Sequence, residues 1–161
     1  RDDIRSAKWM KLVVNASEFL PSSILNLPLA DAIKIPGIRD VMMAAGREAV
    51  RTGLAMGHDL VPIFGSTRIE ENDPDHYATV LLDAVLTHWT LPDTKVTTLQ
   101  DWTKGRRAEV DDINGVVVRE QAARDGAAPI NARLVEIAHQ IESGGIAADP
   151  GNADLLLSLL D

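Results

Sequence analysis

The stretch PGIRDVMMAAGREAVRTGLAMG, residues 36–57, decides the fold class. Ile38, Val41, Met42, Ala45 and Ala49 recur at the spacing that aligns them along one face of an α-helix. Pro36 suits the first turn, where its missing N–H costs nothing, and Gly57 suits the C-terminal stop. Gly46 and Gly53 lie inside the helix, and each costs ~1 kcal/mol of propensity relative to alanine. Small residues at those positions permit the close approach of another helix.

The same period extends outward in both directions. Residues 2–20 read as a helix ended or kinked by Pro21, and PSSILNLPLADAI (21–33) reads as a helical turn plus loop. Residues 58–73 are turn-like around Pro62 and Gly65. Residues 75–90 form another helix, with Tyr77, Val80, Leu81, Ala84, Val85 and His88 on its apolar side. Leu91 to Thr98 is an extended connection. A helix covers most of 99–125, with an early turn near Gly105 and a stop at Gly126. Pro129 starts the next, in which Leu134, Ile137, Ala138 and Ile141 follow the i, i+3, i+4, i+7 rule. Gly144 and Gly145 end it. A leucine-rich tail, LLLSLLD, closes the chain and is expected to dock on this domain or on a partner, because exposed it would drive association. The expectation is one all-α domain over residues 1–161, bundle-like, with no doubly wound sheet. No GxGxxG or GxxxxGK[ST] motif is present, so no nucleotide-binding half is expected within these residues.

Composition removes several classes of function. The 161 residues contain no cysteine, which excludes disulfides, thiolate catalysis and cysteine-bound zinc. The four histidines, His58, His76, His88 and His139, form no close ligand cluster, so no metal site is expected. A net charge of −8 argues against a nucleic-acid surface. Acidic residues number eleven in 1–80 and thirteen in 81–161, so there is no acidic tail. No apolar run is long enough to span a bilayer, and a compact cytoplasmic protein is expected. The chain opens on Arg1 rather than methionine, and the expectation is that it belongs to a longer product.

Two groups of side chains offer chemistry. Lys11 and Asn15 are four apart, so they share a helix face, and WMKLVVNA surrounds them with apolar residues. A partly desolvated lysine there has a lowered pKa and suits general-acid work, with Asn15 as a hydrogen-bonding neighbour. A snorkelling surface lysine explains the same spacing. The second group is Arg106, Arg107, Glu109, Asp111, Asp112 and Asn114. Read on a helix, Arg107 would pair with Asp111, and Glu109 with Asp112 would form either an acid–base pair or a solvated face.

Taken together, these groups resemble a known family. The elements Trp9, Lys11, Leu12, Asn15 and then Gln100, Asp101, Gly105, Arg106, Glu109, Asp111, Asn114, Gly115, Gly126, Pro129, Asn131 are similar, in order, to the C-terminal domain signature of ketopantoate reductases (2-dehydropantoate 2-reductases). The resemblance covers nearly residues 5–143. It implies a helical substrate-side domain of the kind that follows a Rossmann domain in 6-phosphogluconate dehydrogenase-like enzymes. It further implies NADPH-dependent reduction of ketopantoate or a related 2-keto acid, on the route to pantothenate. Lys11 matches the family's general acid, Asn15 a residue of the substrate pocket, and Glu109 the group that binds the substrate hydroxyl. Thr97 stands where the family has a serine. Phe19 replaces a second asparagine, and Ala108 replaces the threonine before the glutamate. The implied partners are an N-terminal Rossmann domain, a small keto acid and a second copy in a homodimer. The alternative is a non-catalytic helical interaction domain that keeps the fold, with Lys11 and Glu109 far apart or buried in unrelated pairs.

Overall fold

The computed structural model describes residues 2–63 and 73–161. The all-α expectation holds: among the described residues there is no strand. The helices run α1 (Asp2–Ile24), α2 (Leu29–Ala32), α3 (Ile38–Ala55), α4 (Pro74–His88), α5 (Thr97–Thr103), α6 (Asn114–Ala122), α7 (Pro129–Glu142) and α8 (Ala153–Leu157). The turn expected around Gly65 lies outside the described residues. No helix among those described is long and apolar enough to cross a membrane.

The α3 stripe is the core, as its spacing requires: Ile38, Val41, Met42, Ala45 and Ala49 are all fully buried. Its two inner glycines admit α1. A Cβ on Gly53 would sit 2.3 Å from the Trp9 indole, and one on Gly46 would sit 2.5 Å from Ser17 Oγ. Trp9 Nε1 also donates to the Ala49 carbonyl at 2.9 Å. Trp9 meets the C-terminal half of α3 and Ser17 meets its middle, so the two helices run antiparallel. On its other side Trp9 stacks on His58, with ring centroids 5.6 Å apart. Replacing Gly53 with alanine is therefore expected to destabilise the domain. Overpacking costs roughly 1–3 kcal/mol, against ~1 kcal/mol of helix propensity regained. Urea unfolding checks this, and a midpoint equal to or above the parent's would mean that Trp9 yields at no cost.

The remaining helices close two apolar clusters. The larger joins the second half of α1 to α2, the start of α3, α5, α7 and α8; the smaller joins the first half of α1 to the end of α3, α4 and α6. The leucine-rich tail docks on this domain. Leu156 is fully buried, Leu157 packs over Gly37, and Asn152 Nδ2 donates to the Ile24 carbonyl at 3.0 Å.

Several boundaries differ from the sequence reading: Pro36 lies before α3, whose N-cap is Gly37, and Thr97 and Thr98 belong to α5 rather than to the connection before it. Two differences are larger. Pro21 neither ends nor breaks α1, which continues to Ile24. A proline removes one N–H, to the carbonyl four residues back, and it sits here in the last turn, where little helix remains to be lost. The stop comes at Asn26, whose φ of 54° turns the chain left-handed while Leu27 N donates back to Ser22 O at 3.2 Å. The second difference is that 99–125 is two helices. Gly105 has φ 68°, and Arg106 N donates to Asp101 O at 2.8 Å, which terminates α5. Residues 106–113 are irregular, and α6 begins at Asn114.

Candidate functional site

The residues expected to carry chemistry sit on three elements. Lys11 and Asn15 lie one turn apart on α1, Lys11 exposed and Asn15 half-buried. Thr97 is the exposed first residue of α5. Glu109 is exposed on the irregular segment between α5 and α6. Among the described residues none of these four side chains makes a hydrogen bond or an ion pair. Lys11 is not desolvated by this domain, because the apolar neighbours Trp9 and Met10 turn into the core and leave the ammonium outside.

The helical pairs expected in the second group do not form, because 106–113 is not a helix. Arg107 does not pair with Asp111. Asp111 Oδ1 instead meets His139 Nε2 of α7 at 2.9 Å, and Arg119 Nη1 donates to the Asp111 carbonyl at 2.9 Å. Glu109 and Asp112 are each exposed and do not act as a turn-spaced pair. Arg106 and Arg107 line a cavity of about 190 Å³ with Trp102, Gly105, Ile141 and Glu142. His88, expected at the core edge, is exposed at the end of α4.

Beneath the segment lies a buried polar hub. Asn114 Nδ2 donates to the Ala16 carbonyl on α1 and to Asn131 Oδ1 on α7, each at 2.9 Å. Asn131 Nδ2 donates in turn to Ala45 O at 3.1 Å and to Glu48 Oε2 at 2.8 Å on α3. The Glu48 carboxylate also accepts the backbone N–H groups of Ile130 and Asn131 at the start of α7, at 2.8 and 2.9 Å. A carboxylate at a helix N-terminus satisfies donors that the helix itself cannot, and the helix dipole favours it. Four helices thus meet at two asparagines and one glutamate. Through Asn114 the Glu109 segment is tied to α1 at Ala16, one residue past Asn15.

Sequence reasoning missed Glu18. It lies seven residues after Lys11 and three after Asn15, so it extends their face of α1 by a turn. Glu18 is only 4% exposed, and its Oε1 has no hydrogen-bond partner. Burial pushes its carboxyl up from the usual 4.5 to about 8. An acidic residue among Phe19, Leu20 and the apolar WMKLVV run was the available signal. Among the described residues no three His, Asp or Glu side chains are grouped to hold a metal.

Comparison with known proteins points one way. A family described as ketopantoate reductase PanE/ApbA C terminal matches residues 3–142. A 2-dehydropantoate 2-reductase from Archaeoglobus fulgidus is 24% identical over 143 residues, covering 89% of this chain and 42% of that protein. The crystal structure of a PanE/ApbA family ketopantoate reductase from Ralstonia eutropha JMP134 superimposes with a TM-score of 0.71 at 26% identity, over 88% of this chain and 42% of that one. D-mandelate dehydrogenase in a ternary structure with NADH and anilino(oxo)acetate shares the fold, with a TM-score of 0.72 at 20% identity, over 89% of this chain and 43% of that one. The chain therefore spans less than half the length of these relatives.

Proposed function

The chain belongs to the family of ketopantoate reductase C-terminal domains, and on that premise we propose that it is the substrate-side domain of an NADPH-dependent 2-keto acid reductase. One observation carries the reading. Lys11, Asn15, Thr97 and Glu109, the four residues matched to the family's substrate side, all reach solvent, and among the described residues their side chains have no hydrogen-bond or ion-pair partner. Polar side chains that serve only the fold are normally engaged, as Asn114 and Asn131 are. The competing interaction-domain reading expects Lys11 and Glu109 far apart or buried in unrelated pairs, and their exposure weighs against the second of these.

The donor set suits a hydroxylated 2-keto acid: an ammonium, an amide, a hydroxyl and a carboxylate. The cofactor falls to an adjoining Rossmann domain of the whole protein, and when bound there it supplies the hydride. Lys11 places its positive charge against the carbonyl oxygen, where negative charge develops as the carbon accepts the hydride. Its ammonium then gives that oxygen a proton, leaving a neutral amine and the alcohol. Asn15 orients the same substrate through its amide. Glu109 accepts a hydrogen bond from the substrate hydroxyl, a charge-assisted contact, and Thr97 offers a further hydroxyl. Phe19 is half-buried against the main core, so its ring brings apolar character where the family has an amide. That substitution favours a bulkier keto acid over ketopantoate. Exposed Ile4 and Leu91 suit further contacts with the Rossmann domain or with a second copy in a homodimer.

The test is NADPH oxidation by the full-length protein, followed by the cofactor's absorbance, with ketopantoate and with an aryl 2-keto acid such as benzoylformate. Turnover dependent on either keto acid is the expected result. A folded, NADPH-binding protein that turns over neither acid would overturn the proposal.

A further inference from the structure

The segment carrying Glu109 has no regular structure of its own, so outside groups must fix it. Between Gly105 and Asn114 the chain has no helical ladder, and its backbone groups need other partners. Two of the ties come from one face of α7. Glu142 Oε2 accepts the Ala108 N–H at 2.8 Å, and the same oxygen accepts Trp102 Nε1 at 3.2 Å. His139, three residues earlier on the helix, meets Asp111 Oδ1 at 2.9 Å. Between these two grips Val110 is 2% exposed and packs into the main core. Ile113 N also closes back on the Glu109 carbonyl at 3.1 Å. The residue before Glu109, the residue after it and the next beyond are thus all anchored, while the exposed Glu109 side chain is held by none of the described residues.

We propose that Glu142 and His139 of α7 are positioning residues that set the Glu109 carboxylate against the substrate hydroxyl. The inference rests on the role given to Glu109 above. A carboxylate that accepts a backbone N–H makes one of the stronger kinds of hydrogen bond. The Trp102 indole, bonded to the same oxygen, holds Glu142 in the rotamer that reaches Ala108. A site on an irregular segment is only as accurate as its supports, and a displacement of about 1 Å can cost on the order of 100-fold in rate.

The experiment is a double-mutant cycle in the full-length protein, with amide hydrogen exchange beside the kinetics. Glu142→Ala is expected to raise KM for the keto acid by about 10- to 100-fold, with a smaller fall in kcat. Amides of residues 108–113 are expected to exchange faster, while the circular dichroism of the helices is unchanged. Glu142→Gln should restore both, because its amide oxygen can still accept the two N–H groups. His139→Ala should act in the same direction, more weakly. In a Glu109→Ala background, Glu142→Ala should raise KM no further. A KM unchanged by Glu142→Ala, or raised equally with and without Glu109, overturns the proposal. If the unsubstituted protein reduces no keto acid, the functional reading fails and Glu109 loses its role. Exchange at 108–113 still decides, independently of turnover, whether α7 holds the segment.

Discussion

Lys11→Ala in the full-length protein is expected to lower kcat by about 10²- to 10⁴-fold, the usual contribution of a positioned general acid, while leaving thermal stability unchanged. The two halves of this expectation have separate grounds. The loss of rate follows from the proposed chemistry, since without the ammonium the developing oxyanion faces only Asn15 and water. The unchanged stability follows from the structure, where Lys11 is exposed and its side chain is bonded to none of the described residues. Its removal strands no partner, and such surface changes usually stay within about 0.5 kcal/mol. Lys11→Arg separates charge from proton: guanidinium keeps the first and scarcely gives up the second, so partial activity is expected. Steady-state kinetics beside a melting curve read both. Full activity in Lys11→Ala would remove Lys11 from the mechanism.

A second large effect is expected at Glu18. Its carboxyl is pushed up to about 8 in the folded protein, against an ordinary 4.5 in the unfolded chain. Between those values the folded state binds more protons than the unfolded one, so stability falls as pH rises. The parent protein should be most stable near pH 5 and lose on the order of 3–5 kcal/mol by pH 9 through this one group. Glu18→Gln has nothing to ionise. Its stability should be nearly flat over that range, with a Tm roughly 10 °C above the parent at pH 9. At pH 5 the order should reverse, because the amide adds donors that the site does not satisfy. Thermal melts of both proteins from pH 5 to 9 decide it. Parallel curves would show that Glu18 is not the source of the slope.

What was legible in the sequence depended on how local its cause was. The α3 stripe and the inner glycines could be read because periodicity and the missing Cβ are properties of one segment. The docking of the tail followed from the insolubility of LLLSLLD. A turn near Gly105 was legible, but not the irregular stretch 106–113 that follows it, because charged residues at helical spacing there look like a helix face while the ties that hold the segment come from α7. Pro21 misled because a proline's effect depends on how much helix follows it. Glu18 and Glu48 were passed over for a different reason: each is defined by what surrounds it in space. Glu48 serves α7 from 82 and 83 residues away. Lys11, Asn15 and Glu109 stood out by spacing and took their roles from family resemblance, and the geometry adds that Lys11 and Glu109 are exposed and Asn15 half-buried, with no side-chain partner among the described residues.

The hub of Asn114, Asn131 and Glu48 bears on how descent and activity separate in such proteins. The Asn-Gly and Pro-x-Asn parts of the signature are the parts committed to holding four helices together. A descendant that abandoned catalysis would still be bound to keep them, because losing Asn114 takes the donor from the Ala16 carbonyl and the Asn131 amide oxygen, and losing Asn131 takes one from the Ala45 carbonyl and the Glu48 carboxylate. Those positions are therefore a record of ancestry. Evidence of present employment has to be sought at Lys11, Asn15 and Glu109, which the architecture leaves free to change.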